Sequence, residues 1–438
     1  MLVAALLLIP PFLLALGARE SFRAPKLYAS GWLALASLLV LAWGLRRVPR
    51  VDLGALRRLP ALAAILPYLA VATLSLAATE HPIQVREGLF DLWIGAACLV
   101  GWSAALPAAR IERLLAALLF PAALLALVGI LQYYDLWQPL SLLGLRAGER
   151  LAVTSFAGNP GDLGAYLVLP CLVAQRELLR RWRDGAMRSA AGRAVFALVA
   201  LLGAACLYGL VLTQTLAALA ALGFGSIVLW TLALPRRRAL SLLAGGAALL
   251  LALAIGVAPL RQRIALKLGQ VRQGSFNQVL SGRLDGWQAA LWMVGEHPLA
   301  GVGHGAFRPS FIPAKIALLD RGRSFSYEQM QVVFANAHSE PLEVAADLGL
   351  PGCVALAWGF WVLLRRLRRP RSPGGALPGA PAVAPKSVGT DASAFAWGGV
   401  AALLVLSLAY FPFRLALVAY PALLFLSWVL RPGEGEEA

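Results

Sequence analysis

The chain has 438 residues, with 39 Lys and Arg against 22 Asp and Glu and a formal net charge of +17. Apolar residues make up 60% and charged ones 14%, where soluble domains run near 45–50% and about 25%, and the mean hydropathy is +0.73. That balance excludes a soluble enzyme, a disordered chain and a disulfide-stapled secreted domain, and it makes the chain an all-α, polytopic integral membrane protein.

In chain order, twelve stretches are predicted as spans: 1–17, 27–45, 59–78, 88–106, 114–134, 161–175, 194–212, 216–234, 239–258, 342–364, 394–411 and 415–430. The run 194–234 is too long for one span and divides at the polar Thr213, Gln214 and Thr215. The four cysteines, Cys98, Cys171, Cys206 and Cys353, fall inside apolar runs without metal-ligand spacing and read as small buried hydrophobes.

Lys and Arg placement orients the chain. With both termini cytoplasmic, the cytoplasmic segments hold twenty-three basic residues and the short outer loops seven, the bias expected of cytoplasmic loops. The net charge is then largely an orientation signal. A basic face for nucleic acid needs a soluble domain to display it, so no nucleic acid partner is expected. The predicted organisation is nine spans over 1–258, a long outer loop over 259–341 that contains helices, three spans over 342–430 with a cytoplasmic linker at 365–393, and a tail at 431–438. Arg19, Arg23 and Lys26 conflict with this orientation, since they follow the first span on the outer side.

A long ordered loop is where chemistry is expected. Within it, Ser281-Gly-Arg283 opens a predicted amphipathic helix in which Ser281 is the N-cap and Leu284, Trp287, Leu291 and Val294 recur at helical spacing, as for a helix resting on the outer leaflet. Arg283 at its start either joins backbone donors in holding a phosphate, meets lipid headgroups, or pairs with Asp285. The run Pro298-Leu-Ala-Gly301-Val-Gly303-His304-Gly305 gives glycine turns or a close approach to a ligand, a weak phosphate signal because no Lys-Ser/Thr pair follows. His297 and His304 lack second ligands at metal spacing, and no metal or cofactor is expected.

In the third motif, Ala337-His338-Ser339-Glu340-Pro341, Ser339 is a candidate N-cap and Pro341 lies in the first turn of the tenth span, which sets His338 at its outer mouth beside Glu340 and Glu343. A histidine there is either a cap or headgroup contact, or a general base oriented by a carboxylate. Two further outer sites are Arg150, ahead of Phe156-Ala-Gly-Asn159-Pro160, and Arg86 beside Glu87. The outer loops have no Asp-x-Asp or Glu-x-Asp pair to bring a divalent cation to a diphosphate, so arginines would carry its charge.

At Ser281-Gly-Arg283 through Trp287, His297-Pro-Leu-Ala-Gly-Val-Gly303, Ala337-His338 with Leu342 and Gly349, and Phe156-x-Gly-Asn-Pro160, the sequence resembles the O-antigen ligase and Wzy-type polymerase superfamily of bacterial inner membranes. The resemblance implies a GT-C-like helical enzyme that moves a glycan from undecaprenyl diphosphate to an acceptor hydroxyl. For a ligase the acceptor is the lipid A core; for a polymerase it is another lipid-linked repeat unit. His338 would then be the base and Arg283, Arg150 and Arg86 the diphosphate ligands, supported by Glu340, Glu343, Gly301, Gly303, His304 and Asn159. The chain departs from the family where Thr213-Gln-Thr-Leu216 replaces a common Thr-x-Ser-Arg segment, so one family arginine is missing at Leu216. A transporter is the alternative outside enzymes; its mark would be ionisable residues inside spans, of which Asp347 is the clearest candidate.

Overall fold

The computed structural model describes residues 1–15, 20–45, 59–138, 150–256, 258–325, 333–369 and 387–432. Among these there is no strand. The helices are α1 (Leu2–Leu8), α2 (Arg23–Leu45), α3 (Pro60–Leu74), α4 (Pro82–Ala105), α5 (Ala108–Ala117), α6 (Leu119–Tyr133), α7 (Pro160–Arg183), α8 (Ala190–Leu212), α9 (Leu216–Ala233), α10 (Arg236–Gly256), α11 (Ala258–Arg272), α12 (Phe276–Val279), α13 (Arg283–Glu296), α14 (Phe307–Asp320), α15 (Glu340–Arg368), α16 (Ser387–Ala409) and α17 (Ala416–Val429). The linker residues 370–386 and the end of the tail lie outside the described residues.

Among the described residues, eight helical segments are long and apolar enough to cross a membrane: Arg23–Trp43, Pro60–Ala77, Pro82–Ala105, Ala108–Tyr133, Ala190–Leu212, Leu216–Ala233, Glu340–Arg368 and Asp391–Ala409. They fall on eight of the twelve expected stretches. The first and last stretches give shorter apolar helical segments, Leu2–Phe12 and Ala416–Val429. Pro10 and Pro11 interrupt the first, because proline removes a helical donor and clashes with the preceding turn. The expected break at Thr213–Thr215 is present, and Gln214 turns the chain with φ +50°.

The sixth stretch becomes α7, a central post. Asn159 caps it by accepting from the Gly161 amide at 2.6 Å, and Pro160 opens its first turn. Nearly every residue from Pro160 to Ala174 is buried among neighbouring helices. Its last turns are rich in arginine, and Arg176 is ion-paired with Glu112 at 2.9 Å. Such a helix is packed by protein and tolerates charge for that reason. Small residues set the closest helix pair: a Cβ on Gly225 of α9 would meet Gly398 O of α16 at 2.8 Å, so the glycines let the two backbones touch.

The long loop has its own core. Ala289, Ala290 and Met293 of α13 pack with Phe307, Phe311 and Ala314 of α14 and with Ala337 and Ala346, which joins the loop to the start of α15. The face of α13 turned to protein is Asp285, Gly286, Ala289, Ala290 and Met293, while Leu291 is exposed and Leu284, Trp287 and Val294 are half-buried. The stripe expected from helical spacing is therefore the outward one. Ser281 is not the N-cap either: Gly282 occupies that place with φ +80°, and Asn277 Oδ1 accepts from the Leu284 amide at 3.1 Å.

One break in α15 was not expected. Gly349 leaves the helix at φ 62°, ψ −158°, two residues before Pro351. Two freed carbonyls and a freed amide are taken up by the glycine loop: Val302 N donates to Ala346 O at 3.0 Å and Gly303 N to Asp347 O at 2.8 Å, while Leu350 N donates to Pro298 O at 2.8 Å. A Cβ on Gly301, which has φ +64°, would collide with the Asp347 carbonyl, and one on Gly349 with Pro298 O. The glycines serve backbone-to-backbone docking, which satisfies polar groups that water does not reach.

Candidate active site

His338 precedes α15 in a left-handed conformation, φ +56°, which is uncommon for a side-chain-bearing residue and marks a position held by its surroundings. The hold comes from Glu343. Its Oε2 accepts from the Ala337 amide at 2.9 Å and its Oε1 from Asn336 Nδ2 at 3.0 Å. The imidazole stands among Phe334, Tyr410 and Phe411, with ring centroids 5.9, 6.3 and 5.0 Å away. Its Nδ1 is buried without a hydrogen-bond partner.

The expected carboxylate support for His338 takes a different form. Neither Glu340 nor Glu343 bonds the imidazole. Glu340 accepts from the Phe413 amide at 2.7 Å and from Ser407 Oγ at 3.2 Å, and so ties the last outer turn to α15. Glu343 faces Arg414 at 3.4 Å, and Arg414 Nη2 donates to Asp347 Oδ2 at 2.8 Å. The same Asp347 oxygen accepts from the Gly305 amide at 2.8 Å. Arg414 thus locks together the His338 turn, the glycine loop and α15. Burial works against its charge, but Glu343 and Asp347 prevail and hold its pKa above the ordinary value.

Positive charge faces His338 instead. Burial, followed by Arg283 and then Arg23, pushes the histidine down to about 4, so the imidazole is neutral at pH 7. Arg283 lies in the first turn of α13, whose Gly286 backs closely onto the Ala337 backbone. Asp285 turns the other way, accepting from Asn277 at 2.5 Å, and no ion pair joins it to Arg283. Arg23 is held by Asp162 through two bonds of 2.9 and 3.1 Å, and the Tyr410 hydroxyl donates to the same carboxylate.

Three more cations extend this cluster. Arg150 Nε donates to Thr213 O at 2.9 Å, at the break where the family arginine is missing. Burial, then Arg263, lowers its pKa to about 10, and Arg283 acts in the same direction. Lys267 is lowered by burial, then by Arg263, Arg150 and Arg283. Among the described residues, no carboxylate forms an ion pair with Arg150, Arg263, Lys267 or Arg283.

The other expected residues lie elsewhere. Arg86 is exposed on α4 beside Glu87 without an ion pair among the described residues. Asn159 is the cap of α7. His304 is buried in an edge contact with Tyr68 at 6.0 Å while its amide donates to Ser75 Oγ at 3.1 Å, and burial followed by Arg414 lowers it to about 3. Gly301 and Gly303 belong to the docking of the loop on α15. Sequence reasoning missed Arg23, Asp162, Tyr410, Arg263, Lys267 and Arg414. The i, i+4 spacing of Arg263 and Lys267 was a readable signal.

Together these features define a polytopic helical membrane protein with a neutral histidine and arginines, unpaired with carboxylates among the described residues, gathered between a structured loop and the helix ends beside it. Residues 196–357 match the family model Wzy_C, described as O-antigen ligase. Over this segment the chain is similar to the O-antigen ligase family, the resemblance that its motifs carried. The match includes Arg263, Lys267, Arg283 and His338, whereas Arg23, Arg150, Asp162, Tyr410 and Arg414 lie outside it. No curated protein matches the chain.

Proposed function

We propose that the chain is an O-antigen ligase of the bacterial inner membrane, with both termini cytoplasmic and twelve membrane passages in all. It transfers a glycan from undecaprenyl diphosphate to the lipid A core on the periplasmic face. The observation that carries this reading is the juxtaposition of a neutral histidine, His338, with arginines that form no ion pair with a carboxylate among the described residues.

The acceptor hydroxyl attacks the anomeric carbon opposite the diphosphate. A carbon–oxygen bond to the acceptor forms as the bond to the diphosphate oxygen breaks, which inverts the centre, and the hydroxyl proton passes to His338. Arg283 and Arg150 meet the diphosphate, whose charge as a leaving group grows in the transition state, so their help is greatest where it accelerates the reaction. With Arg283 lowering the histidine's pKa in the free protein, a bound diphosphate offsets that charge and makes His338 a stronger base once the donor is in place.

Asp347 favours this reading over transport. Its Oδ2 is engaged by Arg414 and the Gly305 amide, which ties it into the joint between the glycine loop and α15, while its Oδ1 is buried without a partner. A gel profile of lipopolysaccharide from ligase-deficient and polymerase-deficient hosts carrying the chain, with host sugars matched to the donor, tests the proposal. A ladder restored only in the ligase-deficient host is the expected result. Restoration only in the polymerase-deficient host moves the acceptor to a second lipid-linked repeat unit and overturns the ligase assignment.

A further inference from the structure

Arg263 and Lys267 stand one turn apart on the same face of α11. With Ile264, Leu268, Val271 and Leu216 at the start of α9, they line a cleft of about 210 Å³. The Arg263 Nε is buried without a partner. Lys267 Nζ donates to Gln278 O at 2.5 Å and reaches Ser281 Oγ at 3.4 Å, which leads from the cleft to the residues before Arg283. Across the Thr213–Thr215 break, Arg150 is fixed to Thr213 O. The cleft itself exposes only apolar surface, and the charged ends of Arg263 and Lys267 lie beyond it, near enough to Arg150 for their charges to repel.

We infer that α11 forms part of the donor site: Arg263 and Lys267 bind the phosphate end of a polyprenyl diphosphate, and its first prenyl units lie along Leu216, Ile264, Leu268 and Val271. The inference rests on the transferase reading above and deepens it, since that reading left the missing arginine without a substitute. Like charges gathered without a counter-ion repel one another, and an anion brought between them relieves that repulsion. Four such cations call for more than the single negative charge of a phosphodiester headgroup, and a diphosphate supplies it. The apolar lining calls for a hydrocarbon chain joined directly to the phosphate. In place of an arginine from the span, the chain uses two cations from the loop helix that covers it.

The test is the affinity of the detergent-purified full chain for farnesyl diphosphate, a short polyprenyl diphosphate. Arg263→Gln with Lys267→Gln is expected to weaken binding about ten- to a hundredfold, the loss expected of two charge-assisted contacts. Adding Leu216→Arg to that double variant is expected to restore much of the affinity, which a merely structural role for α11 would not allow. Should the double variant bind like the parent while Arg283→Gln does not, α11 has no part in the site and the transferase reading stands. Failure of the parent itself to bind overturns both. Displacement of farnesyl diphosphate by equimolar phosphatidylglycerol overturns the inference in favour of an ordinary lipid headgroup.

Discussion

Arg414 and a group of four other cations lie near the first turns of α15, and their surroundings are opposite. Arg414 is matched by Glu343 and Asp347, both buried, and every one of these partners also holds backbone or loop. Arg150, Arg263, Lys267 and Arg283 have no such partner among the described residues, although burial acts against the charge of each. A matched buried charge is a structural joint, because removing one partner strands the other. An unmatched set invites an anion from outside. Sequence composition does not separate the two groups, whereas the placement of two carboxylates does.

The contrast breaks most visibly at Arg414. Arg414→Leu leaves two buried carboxylates and is expected to cost about 3–5 kcal/mol, read as a lower unfolding midpoint in detergent. Arg263→Gln, with no ion-paired carboxylate among the described residues to strand, is expected to leave that midpoint nearly unchanged. A large fall in both variants would erase the distinction. Gly301→Ala tests the joint from the backbone side: its Cβ must displace Asp347, and a left-handed alanine is strained, so a loss of about 1–3 kcal/mol is expected in the same assay.

A subtler probe is the pH dependence of transfer. His338 works as the neutral base, so kcat/KM falls as the pH drops through its pKa, which burial, Arg283 and Arg23 together hold near 4. Arg283→Gln removes one repelling charge, and the acid limb is expected to move upward by about 1 unit. A downward move would mean that Arg283 does not face the histidine. The smallest effect belongs to Tyr410→Phe. Asp162 keeps both bonds from Arg23, so the variant is expected to lose about 1 kcal/mol of stability at most, measured by thermal unfolding.

Much of the helical framework was legible because apolar runs of span length have few other uses. The break at Thr213–Thr215 announced itself through three polar residues in a row, and the start of α7 through Asn159-Pro160. Gly349 with Pro351 is a break signal that was passed over inside an apolar run of span length, and the donors that satisfy the freed carbonyls come from the distant loop around Pro298–Gly303. His338 and Arg283 stood out as chemistry-bearing residues in local motifs. Asp162 and Tyr410 are single polar groups 248 positions apart, and only the packing of α7 against the end of α16 makes them one network. Glu343 was noticed as a neighbour of the histidine, but its work is to hold the preceding turn, which depends on Arg414 far along the chain.

The most direct measurement is in vitro glycan transfer by purified His338→Ala protein, with binding of the lipid-linked donor followed in the same preparation. The expected result is a rate about 10²–10⁴-fold below the parent with donor affinity unchanged, the signature of a lost proton acceptor beside an intact anion site. Transfer at the parental rate would contradict the assignment of His338 as the base, and with it the claim that the unmatched arginines and this histidine form one catalytic centre.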